Sequence, residues 1–462
     1  MSIKRLSMRL KKGIHRSWNR MTSLEAGLEE EKEIKIVEEP EPRPWKVLIT
    51  GGAGHLAENL VAKLEEMTRD SIRPKIREML EKEMPAVIST KVDKEVEKRL
   101  PMYIQIVLVD VLEPRGRVLK HHVAFVKCSF DDECTMKTAL EQVDTVYHLA
   151  AVGMTGQYAR DRKACMDINA VGTMNLLIWA RNSGVQRFIY TSSVGVVFSG
   201  EPMYNATEEV GYPDDFYNYY CESKAHAERI VQKASGHRMR TTVLRFNGIY
   251  GPGEKRVTER VVKFMLTGMW IATCKPNGVE AQTQLSSVAN CIQGLVKAEL
   301  ALRWSDTPHG QIYNIMDKTP VGTFSFWTPL NIALGFSSSM ITVPATPIRL
   351  FAYLSQIIAD RMRIDPIVSV LEVDLLLVNN TFNIEKAERD LGYEPSVSAI
   401  PEIIEHYLHR LPPDVVRPKG RSDFYVKVAV LVLGTILIFV AVFSFTFWMY
   451  LIFQRLSRWN PF

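Results

Sequence analysis

The sequence predicts an α/β protein with a doubly wound parallel sheet, a smaller C-terminal lobe and one C-terminal transmembrane helix. Short apolar runs alternate with longer amphipathic stretches through the middle of the chain, which is the pattern of parallel strands joined by helices. A glycine-rich turn follows the first of these runs. Near the end of the chain, residues 428–453 form a run of 26 residues without one charge.

Composition excludes several classes of protein. The chain has 462 residues, of which 46% are hydrophobic and 24% charged, so collagen-like, disulfide-framework and wholly disordered proteins do not fit. The 57 basic and 52 acidic residues leave a net charge of +5, which is too small a balance to indicate a nucleic-acid partner. The six cysteines form no CxxC pair, so we expect reduced thiols and no metal site.

The two halves of the N-terminal extension, residues 1–43, differ in charge. Residues 1–24 hold seven basic side chains and no acidic one, whereas residues 25–42 are rich in glutamate. We favour a solvated, flexible extension; a mitochondrial presequence and a membrane-surface helix are the alternatives.

Strands are expected at six apolar runs. These are residues 46–50, 103–109, 123–127, 143–148, 187–191 and 241–245. Between the first helix and the second strand, the highly charged and helix-prone segment 66–100 is expected to form a solvated surface insertion.

The first strand leads into the sequence TGGAGHLA at residues 50–57 and then into a helix. Gly51 permits a tight turn, Gly54 lets the backbone approach a pyrophosphate, and Ala57 is the small residue where the helix meets the strand. A strand before the turn and a helix after it are the context that a dinucleotide site requires.

An acidic residue supports the same interpretation. Asp110 ends the second apolar run, where a carboxylate can bind the adenosine ribose hydroxyls. Because a carboxylate would repel the extra phosphate of NADP, Asp110 favours NAD as the cofactor. We therefore predict a Rossmann-type NAD-binding domain over residues 44–245 and a substrate-binding lobe over residues 246–415.

Three polar residues point to alcohol oxidation. Tyr220 and Lys224 lie four positions apart, hence one turn apart on one face of a helix. A neighbouring ammonium can stabilise the phenolate of a tyrosine, whose pKa is ordinarily about 10, and Lys224 could also hold the nicotinamide ribose. Ser193 follows a predicted strand, where its hydroxyl can hydrogen-bond the reacting alcohol or carbonyl. We predict these three residues to be catalytic.

The uncharged run near the C-terminus is predicted to span a membrane, within a helix over residues 426–454. At 1.5 Å per residue its 26 residues reach about 39 Å as a helix, more than the hydrocarbon core of about 30 Å. Four basic residues within 417–427 precede it and two within 455–458 follow, so the positive-inside rule places the bulk of the protein in the cytosol. We expect the endoplasmic reticulum membrane, with a mitochondrial membrane as the alternative. A second apolar stretch, residues 348–358, is expected to be a packed helix of the substrate lobe, with a helix lying on the membrane as the alternative.

Several motifs together resemble the extended short-chain dehydrogenases/reductases. Besides the glycine turn and the YxxxK pair, the similar segments are HLAA (148–151), NAVGT (169–173), YTSS (190–193), GIYGPG (248–253), VAN (288–290) and KAERDLGYEP (386–395). They cover roughly residues 44–410. The chain most resembles the 3-beta-hydroxysteroid dehydrogenase/isomerase family, and within it the C-terminally anchored branch called family 42E, through VGMTG (152–156) and GIYGPGE.

The resemblance implies a role for each site residue. Tyr220 would be the proton acceptor, Lys224 the cofactor-binding lysine and Ser193 the substrate-polarising hydroxyl, with Asn169 close to the proton relay. The implied substrate is a small hydrophobic alcohol, a 3β-hydroxysteroid or sterol, with NAD as cofactor and the bilayer as a partner. A homodimer is kept as a candidate assembly.

Some positions depart from the family pattern. His55 stands where an aromatic residue is usual, and Cys128-Ser129 replaces the Gly-Asp whose acid contacts adenine. The usual LRP reads Leu-Arg-Phe at 244–246, and an aromatic-rich segment is replaced by residues 282–287.

Two other functions remain open. Nucleotide-sugar epimerases and dehydratases carry the same motifs, and Lys255, Arg256 and Arg260 are candidate phosphate-binding residues for such a substrate. A membrane-tethered protein that binds NAD without turnover is the other alternative.

Overall fold

The computed structural model describes residues 44–412, except 102, 115–118, 155–159, 269, 271, 337–340, 363, 365, 367 and most of 68–100. The N-terminal extension and the predicted transmembrane helix, residues 426–454, lie outside the described residues. Among the helices that are described, none is long and apolar enough to cross a bilayer.

The strands follow one another along the chain with helices between them. They are β1 (Trp45–Thr50), β2 (Ile104–Asp110), β3 (Val123–Lys127), β4 (Thr145–His148), β5 (Arg187–Ser193), β6 (Met203–Ala206), β7 (Arg240–Phe246), β8 (Ile249–Tyr250), β9 (Ala272–Thr273), β10 (Gln282–Thr283), β11 (Ser286–Ser287), β12 (Ile312–Asn314), β13 (Val321–Gly322), β14 (Ile341–Thr342) and β15 (Asn380–Phe382). The six predicted strands are confirmed, each within two residues at either end.

The longer helices alternate with these strands. They are α1 (His55–Glu66), α2 (Glu133–Ala139), α3 (Arg162–Cys165), α4 (Gly172–Asn182), α5 (Tyr219–Lys233), α6 (Thr258–Leu266), α7 (Val288–Trp304), α8 (Thr328–Ala333), α9 (Ala345–Met362), α10 (Val370–Leu377), α11 (Glu385–Leu391) and α12 (Ile400–Arg410). A π-helical segment, Met166–Val171, joins α3 to α4.

The main sheet has seven strands in the order β3-β2-β1-β4-β5-β7-β12, and every neighbouring pair is parallel. The chain starts at β1 in the middle, proceeds outward to β3 and returns to β4 on the other side of β1. The strand order therefore reverses between β1 and β4, which is the switch point where ligands bind at the carboxyl edge of such sheets. The predicted doubly wound α/β fold is confirmed.

Both faces of the sheet are buried. One apolar cluster packs α1 and α7 on one face, and a second packs α2, α4 and α5 on the other. β12 and α7 both lie within residues 246–415, the predicted substrate lobe, yet they pack with the main sheet. β12 was missed because a three-residue strand carries almost no periodicity.

The charged segment 66–100 contributes to the core. Ile72, Val92 and Val96 are almost fully buried and belong to the cluster that contains α1. This differs from the expected solvated insertion, because a few apolar residues spaced along a charged segment are enough to bury one side of it.

A smaller sheet and several helices follow the main sheet along the chain. Strands β13-β10-β15-β6 form this sheet, and β6 comes from the loop after β5. A third apolar cluster packs α8 and α12 around Tyr250, and a fourth packs α9 on α10. The lobe thus adjoins the carboxyl end of β7, at the same edge of the sheet as the switch point.

The close packing of Gly51 predicts a loss of stability when this residue is replaced. At Gly51 φ is +72°, and a Cβ atom there would lie 3.0 Å from the backbone of Ala150. Gly51→Ala should lower the free energy of unfolding by about 2–4 kcal/mol. The alanine would be held in the left-handed region, and its Cβ atom would also press against the Ala150 backbone. Denaturant titration of the full chain in detergent measures this.

Two other glycines are matched controls. Gly184 has φ of +81° with no atom near its Cβ position. Gly184→Ala should therefore lower the free energy of unfolding by about 1–2 kcal/mol, from left-handed backbone strain alone. Gly211 has open space and no positive φ, and Gly211→Ala should change stability by less than about 0.5 kcal/mol. Equal losses at Gly51 and Gly184 would contradict the close approach to Ala150.

Candidate active site

The glycine turn lies at the carboxyl end of β1 and is packed from two sides. Gly51 faces the Ala150 backbone after β4, and a Cβ atom at Gly52 would lie 2.8 Å from the Leu108 side chain in β2. Gly54 begins α1 without a side-chain cap, so the first amides of the helix remain available to an anion. These features fit the pyrophosphate of a dinucleotide. The sequence argument missed Gly52, because its reason is a contact across the sheet.

Asp110 lies beside this turn. It is the last residue of β2, and its carboxylate accepts hydrogen bonds from the amides of Ala53 and Leu112, each at 3.0 Å. The carboxylate is thus held at the mouth of the turn. That position is the one expected for an acid that binds ribose hydroxyls.

Two adjacent elements bring Ser193 and Tyr220 together. Ser193 ends β5, where its hydroxyl accepts a hydrogen bond from the Gly195 amide at 3.1 Å. Asn218 caps the start of α5 through the Cys221 amide at 2.9 Å and so places Tyr220 in the first helical turn. The Ser193 hydroxyl lies near enough to the Tyr220 phenol to lower its pKa.

The pKa of Tyr220 is high in the described site. It is raised to about 12, chiefly by burial and also by the neighbouring Cys221, while Arg256 and the Ser193 hydroxyl act in the opposite direction. The cation that favours the phenolate here is therefore Arg256, whereas the sequence argument assigned this effect to Lys224.

Lys224 is buried one turn further along α5. Its ammonium donates a hydrogen bond to the Thr191 carbonyl at 2.7 Å and lies 4.6 Å from the centre of the Tyr190 ring. The pKa of Lys224 is lowered to about 7, chiefly by burial; Glu228 opposes this shift and Arg256 adds to it. Both Tyr220 and Lys224 are thus shifted towards their neutral forms.

A buried ion pair lies under Lys224. Glu228, one turn further along α5, pairs with Arg245 of β7 at 2.7 Å and accepts a hydrogen bond from Ser192 at 3.1 Å. Glu228 and Arg245 are both almost completely buried. Burial raises the pKa of Glu228, which Arg245 opposes. The arginine of the unusual Leu-Arg-Phe triplet therefore holds the one carboxylate that favours a charged Lys224.

Asn169 lies in the π-helical segment, at the site predicted for the proton relay. Its side-chain oxygen accepts a hydrogen bond from the Val152 amide at 2.8 Å, and its amide group donates to the Ser223 hydroxyl at 3.0 Å. Ser223 in turn donates to the Tyr220 carbonyl at 2.8 Å. The π-helical widening lets Asn169 reach α5, and π-bulges are frequent at functional sites.

A buried histidine links this segment to the glycine turn. The Thr173 hydroxyl donates to the Asn169 carbonyl at 2.6 Å, so His148 Nε2, 2.8 Å from Thr173, must carry the proton it shares with that oxygen. Nδ1 then accepts from the Thr50 hydroxyl at 2.7 Å. Burial lowers the pKa of His148 to about 3, so the imidazole is neutral. This series of hydrogen bonds fixes one tautomer of His148. The sequence argument missed the series because its residues are far apart along the polypeptide.

Arg256 is a further site residue. A Cβ atom at Gly153 would collide with its guanidinium, which therefore lies against the loop after β4. Its charge acts on both Tyr220 and Lys224. Arg256 is exposed, as is its neighbour Lys255, and the third candidate phosphate ligand, Arg260, pairs with Glu372 of α10.

The surroundings of Tyr220 are apolar. Tyr220 packs with Cys165 and Cys221, and four partly buried side chains join them. These are Val152, Met154, Phe216 and Tyr217. A polar triad next to an apolar cluster suits an alcohol on a hydrophobic molecule.

The fold and this site define an extended short-chain dehydrogenase/reductase, a class of NAD-dependent oxidoreductase. The model of the 3-beta hydroxysteroid dehydrogenase/isomerase family matches residues 48–345. The chain belongs to this family, and it is a dehydrogenase-type enzyme.

Curated relatives agree with the family. A short-chain dehydrogenase/reductase family 42E member 1 from Danio rerio is 29% identical over 73% of this chain and 89% of its own length. A 3-beta-hydroxysteroid dehydrogenase from Mycolicibacterium neoaurum is 32% identical over 58% of this chain and 76% of its own.

Solved structures share the fold. A UDP-glucose 4-epimerase from Thermotoga maritima has a TM-score of 0.55 at 20% identity, covering 79% of this chain and 100% of its own. A UDP-glucuronic acid 4-epimerase from Bacillus cereus, in complex with NAD, has a TM-score of 0.55 at 18% identity, covering 79% and 99%. At such identities the likeness concerns the fold alone.

The burial of Lys224 predicts how stability depends on pH. Because the pKa of Lys224 falls from 10.5 to about 7 on folding, the unfolded chain binds this proton more tightly, and stability should rise from pH 7 towards pH 10.5. Lys224→Met removes the free-energy cost of burying this ammonium. We expect the cofactor-free variant to be more stable at pH 7 by about 1–3 kcal/mol, with a weaker pH dependence up to pH 10.

Denaturant titration of the full chain in detergent between pH 7 and 10 measures both effects. Lys255→Met is the matched control, because Lys255 is exposed, and it should leave the stability nearly unchanged. If Lys224→Met destabilises the protein at pH 7, the attraction between Lys224 and Glu228 of the buried ion pair outweighs the cost of burying the ammonium.

Proposed function

We propose that the chain is a membrane-anchored, NAD-dependent dehydrogenase that oxidises the secondary alcohol of a hydrophobic ring compound, a 3β-hydroxysteroid or a sterol. The observation that carries this proposal is the meeting of Ser193, Tyr220 and Lys224 at the carboxyl edge of the sheet, with Tyr220 in an apolar cluster. Family membership supports the same reaction class.

The cofactor assignment rests on the turn between β1 and α1. The uncapped start of α1 and the close packing of Gly51 and Gly52 fit a pyrophosphate, and Asp110 fits the adenosine ribose of NAD. When bound, NAD supplies the hydride acceptor. Lys224, close to this edge, would hold the nicotinamide ribose.

The protein residues move the proton. Ser193 hydrogen-bonds the substrate hydroxyl, and Tyr220, as phenolate, takes its proton while the carbinol hydrogen leaves as hydride. The products are a ketone, NADH and a proton. The pKa of Tyr220 is about 12 even though Arg256 lowers it, so catalysis needs further positive charge near the phenol, from a protonated Lys224 and the oxidised nicotinamide.

The substrate class rests on the apolar surroundings. Val152, Met154, Phe216 and Tyr217 offer an aliphatic and aromatic surface beside Tyr220. Relatives in this family are named 3-beta-hydroxysteroid dehydrogenases. The uncharged run 428–453 supports a membrane anchor, which suits a lipid-soluble substrate. The charge difference around it favours a cytosolic catalytic part, at the endoplasmic reticulum membrane.

The proposal predicts the effect of one substitution. With NAD and a panel of 3β-hydroxysteroids and sterols, the full chain in detergent should produce NADH, followed by absorbance. Tyr220→Phe should lower kcat by about 10²–10⁴-fold without abolishing NAD binding, because only the proton acceptor is lost. Tyr219→Phe, at the exposed neighbouring position, should keep full activity.

The outcomes separate the remaining functions. Equal turnover by Tyr220→Phe and the parent would contradict the assigned proton acceptor. If the parent binds NAD but turns over no alcohol on the panel, the protein fits a tethered NAD-binding protein. If it does not bind NAD, the assignment of Asp110 and the glycine turn is wrong.

A second candidate is an epimerase or dehydratase acting on a nucleotide sugar, and Arg256 is the observation that favours it. Its guanidinium lies near Tyr220, and no partner for its side chain is found among the described residues. Such a cation could bind a phosphate of the substrate.

Arg256→Ala distinguishes the two candidates. If the substrate is a neutral steroid, we expect its KM to change by less than about threefold, with a lower kcat from the lost charge near Tyr220. For a nucleotide sugar, the KM should rise by about tenfold or more, since a charged hydrogen bond is lost. Steady-state kinetics on both substrate classes measures this, with Lys255→Ala as the exposed control.

A further inference from the structure

Helix α9 exposes a continuous apolar surface. Its large side chains face outward and are about half exposed. We define the apolar face of α9 as Leu350, Phe351, Tyr353, Leu354, Ile357, Ile358 and Met362. At about 100° per residue these positions cover roughly half of the helix circumference. Ile341 and Ile364 extend the exposed apolar surface beyond the helix.

The helix has the opposite arrangement to an ordinary surface helix. Its buried stripe consists of small residues, Ala352 and Ala359, which are almost completely buried, with Ala345 and Ile348 partly buried. This stripe packs on the cluster around Val373 of α10. A helix adapted to water buries its large apolar residues, so this side of the helix is adapted to another environment. The helix expected over residues 348–358 is present and packs on α10, but through its small residues rather than its large apolar ones.

Ion pairs hold the helix in this orientation. Arg349 pairs with Asp374 of α10 at 2.7 Å, and Asp360 pairs with Arg160 of the loop after β4 at 2.5 Å. Both charged residues lie on the flank between the buried stripe and the apolar face. The side of the helix that faces outward is therefore fixed.

The rest of the chain indicates what covers this surface. Fifteen residues separate Pro412, the last described residue, from the start of the uncharged run 428–453. Fifteen residues span at most about 50 Å when fully extended. If the run crosses a bilayer, the lobe that carries α9 is held within that distance of it. Four basic residues within 417–427 would lie near the anionic headgroups.

We propose that the apolar face of α9 lies in the lipid surface as a second, non-spanning membrane contact. This inference rests on the proposed C-terminal anchor but not on the catalytic assignment. An amphipathic helix of this kind buries its apolar side chains about 5–10 Å into the boundary between headgroups and acyl chains. Charged residues such as Arg361, in the last turn, reach the headgroups.

The contact has a consequence for the active site. Tyr217, three residues before Tyr220, donates its hydroxyl hydrogen bond to Asp374, which also accepts from Arg349 of α9. On the other side, Arg160 follows the loop that contains Val152 and bonds Asp360. Helix α9 thus lies beside the apolar cluster around Tyr220. A hydrophobic substrate could enter this cluster from the lipid without crossing water.

The test measures how deep the helix lies in the membrane. The full chain is reconstituted in vesicles of phosphatidylcholine and phosphatidylserine, in a Cys134→Ser background because Cys134 is exposed. A nitroxide is attached at Leu354→Cys or Ile358→Cys. Tyr204→Cys, an exposed position on β6, is the matched control. Electron paramagnetic resonance compares access of oxygen, which concentrates in lipid, with access of a water-soluble nickel complex.

We expect the logarithm of the ratio of oxygen to nickel access to be positive at positions 354 and 358 and negative at position 204. Negative values at all three positions on floating vesicles would overturn the α9 contact and leave the anchor intact. Low access to both reagents at 354 and 358, with spin–spin broadening, would mean that a second copy covers the face and would also overturn it. A chain that does not float with the vesicles would overturn the anchor and the contact together, while the turnover assay would still test the dehydrogenase.

Discussion

The burial of Lys224 is the constraint on which the rest of the site depends. An ammonium can remain in this position only if the protein replaces the water it has lost, and the Thr191 carbonyl, the Tyr190 ring and the Glu228–Arg245 pair do so. The compensation is incomplete, because the pKa of Lys224 still falls to about 7. A bound dinucleotide would complete it by bringing hydroxyl groups and phosphate charge to the same edge. The burial of Lys224 therefore costs stability that a bound dinucleotide would partly restore.

The same edge of the sheet is held together by polar chains that cross it. His148 joins the end of β1 to Thr173, whose hydroxyl donates to the Asn169 carbonyl, and the Asn169 side chain reaches the first turn of α5 through Ser223. The glycine turn and Tyr220 are thus connected through buried hydrogen bonds with fixed donors. Such a chain keeps the cofactor turn and the proton acceptor in one geometry, which hydride transfer requires.

Sequence reasoning predicted what depends on local pattern. The strands, the glycine turn, Asp110 as the last residue of β2 and the pair Tyr220 and Lys224 on one helix all follow from periodicity and spacing. It named Arg256 only as a candidate phosphate ligand, and it did not find Glu228, because the effects of both residues on the site arise from contacts between distant segments. It also expected α9 to be packed: an apolar run does not reveal which of its sides is buried when small residues such as Ala352 form the packing stripe. The strands of the second lobe are two to four residues long and carry little periodicity.

The most direct test of this account is the ionisation of Tyr220 in the presence of NAD. The absorbance change of tyrosinate near 295 nm is titrated for the full chain and for Tyr220→Phe, with and without NAD, and the difference between the two proteins isolates one phenol. The account predicts no difference below pH 10 without NAD, because burial holds the pKa of Tyr220 at about 12. With NAD, one phenol should ionise between about pH 7 and 9, as a general base for neutral pH requires. If NAD binds and the two titrations still coincide up to pH 10, Tyr220 is not the proton acceptor.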